Sequence, residues 1–247
     1  MEFRLQIIGL VLAALLSAES AAQRVYALTE ARSADGGTAS SAIHMIDLSE
    51  EPSSVSIWRF PGAQATAALG SPTRHDIFVT SRINPIIGLP SSNYPRGQFW
   101  TGPVRHPNMP SEPISSSPAG WTYGGLVYVP GEADSPGNVI LLAFEADKGP
   151  DGKGSLEIHP VGGGVRKLRE KPPASVPLSD APLAMSVIPN AQRVAVLCES
   201  AGDNLRVIDV ARQETVLSTR VTAPTELVAQ QPSGLSAGPS GQYLFVL

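Results

Sequence analysis

An internal disulfide bond is excluded, because the 247-residue sequence contains a single cysteine, Cys198. Charged residues are also scarce, at 16% of the chain, and the formal net charge is −4. With no broadly basic face expected, the sequence predicts no nucleic-acid partner. A comfortable membrane span is missing as well, since the apolar stretch from Leu5 to Leu16 is too short for one.

This N-terminal stretch has the layout of a signal peptide. Arg4 supplies the positive charge, the apolar run follows it, and small residues then lead to a cleavage point expected after Ala22. We therefore expect a signal peptide over 1–22, a periplasmic or extracellular protein, and no transmembrane segment after cleavage. A retained membrane anchor is the alternative. In an oxidising compartment, a chain with one cysteine depends on its core alone for stability.

Glycine and proline are abundant, with 23 of each. Both residues interrupt helices and are typical of turns, so their number favours many short strands over helices. The composition predicts an all-β protein.

One turn-and-strand pattern recurs along the chain. It consists of a proline, a polar or small turn, and an apolar strand with a valine seven residues after the proline, as in Pro189 to Val196. The copies are Ser71–Ser81, Ile188–Cys198 and Gly238–Leu247, with a looser copy that opens at Pro118 and ends at Val129. The prolines lie 46 residues apart between Pro72 and Pro118 and 50 apart between Pro189 and Pro239. The unit between Pro118 and Pro189 is longer and predicts an insertion.

Three further strand patterns complete the repeating unit. The proline-turn strand is followed by a strand that runs into Ile-Asp and an apolar residue and then by another strand, and a further strand precedes the proline turn. The segments of the Ile-Asp strand are Ala42–Leu48, Asn204–Val210 and, more weakly, Asn138–Ala146; those of the strand after it are Ser54–Phe60, Ser155–Val161 and Glu214–Val221; those of the strand before the proline turn are Gln64–Ser71 and Pro182–Pro189. Four short strands in about 45 to 50 residues match the size of a propeller blade.

The stretch "IPNAQRVAVL…LRVIDV" resembles the bacterial YVTN-type β-propeller repeat, with its "SPDG..LYV" and "V.VID" strands. The resemblance covers most of residues 24–247 and concerns the fold rather than an activity. It implies relatives among secreted surface propellers, lactonase-like propellers and the propeller domains of periplasmic oxidoreductases.

We expect the propeller to span residues 23–247, with a Pro-rich insertion at 82–117 and a Gly/Pro-rich insertion at 162–180. The outer strands of one blade must lie in the first insertion, with "GQFWTGPV" as a candidate. If the strands of a blade are labelled a to d, the mature chain begins on strand b and ends on strand b of a fifth unit. This arrangement predicts an incomplete ring of about four blades plus the start of a fifth, within a longer propeller. A four-bladed ring with a redundant tail is the alternative.

Two local patterns are better explained by structure than by catalysis. Gly234 to Gly238 match the G-x-S-x-G motif, but Pro239 and a strand follow where a hydrolase needs a helix, so Ser236 is expected inside a strand a. Cys198 ends an apolar strand without a CxxC partner, and a packed core residue is expected there.

A candidate ligand site follows from the predicted topology. Successive strands in a blade alternate in direction, so the b–c and d–a connections share one face of the disc, and three of the four predicted b–c loops are acidic. The candidate ligand-binding residues are Glu132, Asp134, Glu199 and Asp203, with Arg82 and Trp100 from the Pro-rich insertion. Such carboxylates can hold a divalent cation such as calcium or a basic ligand. The alternative is a solvated rim of turn residues.

The sequence therefore predicts an exported β-propeller that binds a small molecule or a protein through one face, as a binding or scaffold module. An enzyme is the alternative, either a lactonase-like hydrolase or the propeller domain of a periplasmic oxidoreductase. No residue pattern in the chain identifies a catalytic group.

Overall fold

The structure of the chain is a computed structural model that describes residues 24–31, 40–47, 54–60, 63–70, 76–83, 96–103, 113–131, 137–146, 148, 151–161, 168, 172–200, 202–222 and 235–246. These residues are almost entirely strands and turns, which confirms the predicted all-β class. The chain divides into two compact units, Met1–Ser116 and Ser117–Leu247. The predicted signal peptide lies outside the described residues and stays a prediction.

The described residues of unit 1 form two antiparallel sheets. Sheet I has the order β1-β2-β3 and sheet II the order β4-β5-β6-β7. Their strands are β1 (Arg24–Ala31), β2 (Ser40–Asp47), β3 (Ser54–Phe60), β4 (Ala63–Gly70), β5 (Asp76–Ile83), β6 (Arg96–Pro103) and β7 (Ser115–Ser116). The expected outer strands of the Pro-rich stretch are β6 and β7. The Ser41 hydroxyl links the two sheets, because it donates to the Ala63 carbonyl and accepts from the Ala65 amide.

In unit 2, the part of the chain that the structure describes forms three sheets. Sheet III has the order β8-β9-β10-β11, sheet IV the order β12-β13-β14-β15, and sheet V pairs β16 with β17. Their strands are β8 (Trp121–Val129), β9 (Asn138–Glu145), β10 (Gly154–Pro160), β11 (Ala174–Leu178), β12 (Ala181–Ile188), β13 (Arg193–Glu199), β14 (Leu205–Asp209), β15 (Glu214–Thr219), β16 (Leu235–Ala237) and β17 (Leu244–Val246). All of the pairings are antiparallel.

Sheets II, III and IV each have four antiparallel strands in chain order, which confirms the predicted four-stranded blade of a propeller-type fold. The second strands of sheets III and IV each contain five buried residues in a row, as a continuous apolar run bounded by turns predicts. In β13 every residue from Val194 to Cys198 is buried, whereas β15 at the outer edge is exposed along nearly its whole length. The core between sheets III and IV is formed by aliphatic side chains such as Ile140, Leu156 and Val196.

The proline-turn prediction is confirmed for three of its copies. Val79, Val196 and Val246 lie in β5, β13 and β17, each the second strand of its sheet. The prediction is wrong for the looser copy, because the strand that ends at Val129 is β8, the first strand of sheet III. The apolar segment from Asn138, expected as the third strand of its blade, is therefore the second strand of sheet III. The strand after it, β10, is the third strand rather than the expected fourth.

The predicted insertion at 162–180 is partly wrong for the same reason. It contains β11, which pairs with β10 as the outer strand of sheet III. A strand with prolines beside and within it carries a weak sequence signal, and only an edge position tolerates the missing N–H donor. Pro177 lies in this edge strand.

Candidate functional site

In an antiparallel sheet, successive connections lie at alternate ends. In unit 2 the β9–β10, β11–β12 and β13–β14 connections therefore lie at one end, which we call the loop end. Close packing brings them together: a methyl group built on Gly154, at the start of β10, would lie 2.5 Å from Pro182 near the start of β12. The loop end corresponds to the face on which the sequence predicts a ligand site.

At the loop end, an ion pair links the start of β14 to the β11–β12 connection. The Arg206 guanidinium, on β14, contacts the Asp180 carboxylate in the β11–β12 connection. Arg206 also donates to the Ser179 hydroxyl over 2.6 Å, and that hydroxyl donates to Asp180 over 2.7 Å. Both charged side chains are largely shielded from solvent, with 14% of Arg206 and 26% of Asp180 exposed. A partly desolvated pair of this kind holds its two elements in one arrangement.

The Cys198 thiol lies near this pair, and both charges affect its pKa. Burial raises the pKa of Cys198 from 9.0 to about 11; the Arg206 charge acts against this rise and the Asp180 charge adds to it. The side chain is only 2% exposed. A buried thiol with a raised pKa is chemically inert, which agrees with the expected packing role.

A second tether at the loop end is made by Asn204. Its side-chain amide donates to the Val221 carbonyl over 2.9 Å, and its side-chain oxygen accepts from the Val221 amide over 2.8 Å. Asn204 is buried, and its own carbonyl accepts from the Cys198 amide over 2.7 Å. One residue thus fixes the β13–β14 connection and the chain that leaves β15. Sequence reasoning missed it, because an Asn next to Asp and Gly reads as an ordinary turn residue.

Two of the predicted site residues lie at this end. Glu199 is half-buried at the end of β13, and Asp203 is exposed in the β13–β14 connection. The Gly202 amide in the same connection donates to the Ser200 hydroxyl over 3.2 Å. Asp203 is therefore presented to solvent beside a turn that its neighbours hold in place.

Glu132 and Asp134 lie outside the described residues, so their membership of this group stays a prediction. The strands on either side of them, β8 and β9, are the first and second of sheet III, whereas a second and a third strand are expected there from the sequence. At the end of unit 2 opposite to the loop end, Gln192 of the β12–β13 turn donates to the Pro130 carbonyl, directly after β8.

Arg82 and Trp100 belong to unit 1. Arg82 is half-buried near the end of β5. Trp100 lies in β6, inside the candidate outer strand "GQFWTGPV", with 8% of its surface exposed, and its indole N–H donates to the Ser81 hydroxyl over 2.9 Å. It packs with Ile77 and Val79, so the structure gives it a core position.

A polar network lies on the face of sheet III turned away from sheet IV. The Tyr123 hydroxyl donates to Glu157 over 2.9 Å, and a ring nitrogen of His159 lies 3.4 Å from the same carboxylate oxygen. Tyr123 and His159 are almost completely buried. Tyr123 lies on β8, whereas Glu157 and His159 lie two residues apart on β10, so the network ties the first strand to the third.

The first strand of each four-stranded sheet also contains a β-bulge near its start. The extra residues are Thr66, Gly124 and Leu183. In sheets III and IV these bulges lie near the loop end. Bulges bend a strand and change the direction of its side chains, and they are common beside functional sites. The three residue types differ, so the sequence repeat did not reveal this feature.

No group of three or more His, Cys, Asp or Glu side chains that could hold a metal is found in the described part of the chain. The calcium hypothesis therefore stays a prediction without structural support. Within the same ranges, no helix is long and apolar enough to cross a membrane.

No protein-family model matches the chain, and no curated protein matches it. Among solved structures, it is similar to a chain in a crystal structure of the mitotic checkpoint complex. The two are 10% identical, the alignment covers 90% of this chain and 72% of the other, and the TM-score is 0.39. The assignment of blades therefore rests on the strand order and register of this chain's own sheets.

Proposed function

We propose that the protein is an exported, YVTN-like propeller-type module that binds a protein or small molecule through the loop end of unit 2. The observation that carries this proposal is the pair of tethers, Asn204 to Val221 and Arg206 to Asp180, which fix the connections around the exposed Asp203. A surface whose backbone is already ordered loses little conformational entropy on binding. The bulges near the same end support this assignment.

Glu199 and Asp203 give the loop end exposed or half-exposed acidic groups, so we expect the ligand to present a positive charge or hydrogen-bond donors. Arg206 does not offset them fully, because its charge is engaged by Asp180. Of the six candidate residues, the proposed surface includes Glu199 and Asp203.

Site-specific photo-crosslinking in the producing cell tests the proposal. A photoreactive amino acid replaces Asp203 at the loop end or, as the control, the exposed Arg212 at the opposite end of sheet IV. Intact-mass spectrometry detects adducts of either a protein or a small molecule. We expect a discrete adduct at position 203 and none at 212. Adducts at 212 alone, or none at 203 in a folded and exported protein, would reject the loop end as the binding surface.

Export is tested separately by N-terminal sequencing of the protein recovered from that cell. Because the apolar run and the small residues before Gln23 have the layout of a signal peptide, we expect the mature chain to begin at Gln23. A soluble protein that still begins at Met1 would contradict export without affecting the binding proposal.

A further inference from the structure

The sheets of unit 2 meet through a contact that is repeated from one junction to the next. At the junction of sheets III and IV, Gln192 donates to the carbonyl of Pro130, the residue directly after β8. At the junction of sheets IV and V, Gly241 lies against the carbonyl of Pro189, the residue directly after β12; a methyl group on Gly241 would lie 2.5 Å from that oxygen. In both cases the carbonyl after a first strand meets the first turn of the next sheet.

A second contact joins the first strands of sheets IV and V. The Ser186 hydroxyl on β12 accepts a hydrogen bond from the Ala237 amide on β16 over 3.1 Å. Ser186 pairs with Ala195 across the sheet, so both lie on the face of sheet IV that sheet V covers. Ala195 and Leu197 on that face are completely buried.

Sheet V presents the same acceptors again. In the repeat, Ser236 aligns with Ser186 and Pro239 aligns with Pro189. Both residues are exposed, and neither the Ser236 hydroxyl nor the Pro239 carbonyl has a hydrogen-bond partner among the residues that the structure describes.

The same face of sheet V is apolar. Phe245 pairs with Ser236, so the two share a face, and Tyr243 lies on that face two residues before Phe245. Tyr243 is 67% exposed and Phe245 is 57% exposed. Phe245 aligns with Ala195, and Ala195 in sheet IV is completely covered. Large exposed aromatic side chains beside unpaired acceptors are typical of an interaction surface.

We propose that this face, formed by Ser236, Pro239, Tyr243 and Phe245, is the docking surface for a further β-sheet of the same repeat. The incoming sheet places a backbone N–H of its first strand on the Ser236 hydroxyl. Its first turn places a donor or a glycine on the Pro239 carbonyl. Continuity with the two observed junctions selects this occupant, because a helix or a membrane would cover the aromatic rings without supplying both contacts at this spacing. The surface is distinct from the loop end.

Thiol labelling of the full-length protein, isolated from the cell that produces it, tests the docking. Phe245→Cys reports on the proposed surface, and Leu217→Cys, on the exposed edge strand β15, is the control. In the native protein Cys198 does not interfere, since it is buried and the thiolate is the reactive form; after denaturation it reacts equally in both variants. We expect Phe245→Cys to react at least about tenfold more slowly than Leu217→Cys in the native protein, and equally fast after denaturation. Equal rates in the native protein would overturn the proposal.

The kind of occupant is tested by Ser236→Ala in the Phe245→Cys protein. Loss of one hydrogen bond should raise the labelling rate about fivefold. Ser236→Thr, which keeps the hydroxyl, should label at nearly the parent rate. Ser218→Ala on the exposed β15 is the matched control and should leave the rate unchanged. A protected Phe245→Cys that does not respond to Ser236→Ala would show a different occupant and overturn the proposed sheet.

Discussion

Replacing Asn204 by Ala should destabilise the protein through the loss of two defined hydrogen bonds. The bonds to the Val221 amide and carbonyl are 2.8 and 2.9 Å long, and Asn204 is 8% exposed. At about 1 kcal/mol each, their loss lowers the free energy of unfolding by about 2 kcal/mol. For a chain of this size that corresponds to a decrease in Tm of roughly 4–8 °C.

Asn204→Asp makes the prediction sharper. At pH 7 the carboxylate still accepts from the Val221 amide, but it also faces the Val221 carbonyl, so this variant should be no more stable than Asn204→Ala. A protonated carboxylic acid offers one donor and one acceptor, the two roles that the Asn204 amide uses here. Below about pH 4 the Asp variant should therefore become more stable than the Ala variant.

Urea denaturation measures the loss of global stability, and hydrogen exchange of the Val221 amide measures the loss of local stability. A change of about 2 kcal/mol corresponds to roughly 30-fold faster exchange at that amide. Asn138→Ala, at the start of β9, is the matched control; the described residues show no side-chain hydrogen bond for it, and we expect a change within about 0.5 kcal/mol. Equal losses for Asn204→Ala and Asn138→Ala, or unchanged exchange at Val221, would refute the reasoning.

Three further predictions concern unit 2. The folded-state pKa of Cys198, about 11, exceeds the ordinary value of 9.0. The contribution of the buried, neutral thiol to the free energy of unfolding is therefore complete below pH 9 and is lost as the pH rises through 11. Wild type should lose about 2 kcal/mol relative to Cys198→Ala across that interval in urea titrations. Asp180→Asn should cost about 2 kcal/mol because Arg206 keeps a shielded charge, and the double variant with Arg206→Leu should recover part of it; additive losses in the cycle would contradict the coupling. Glu157→Ala, which removes the acceptor of the Tyr123 hydroxyl, should cost about 2 kcal/mol by denaturation and Glu157→Gln less; equal costs would count against the network.

The sequence alone determined the class of the fold and the position of three second strands. A proline turn followed by a continuous apolar run is a local pattern, and burial of the whole run is its direct consequence, as in β5 and β13. The expected strand at Ser236 is also local, and β16 confirms it.

The same reasoning failed where the local pattern was ambiguous. The strand from Trp121 to Val129 opens with a proline turn and alternates enough to resemble a second strand, and only its pairing with β9 shows that it is the first. The b–c label given to the connection after Val129 therefore does not apply, because a shift by one strand reverses the end at which a connection is expected.

The centre of the candidate site was decided only by the tertiary structure. Asp180 and Arg206 are 26 residues apart, and Asn204 and Val221 are 17 apart, so no local spacing links them. Each pair forms because the antiparallel register brings one connection beside another, and the partial exclusion of water then makes the contact specific. Composition and periodicity identify the strands, but the contacts between their ends depend on register and on the stacking of one sheet against the next.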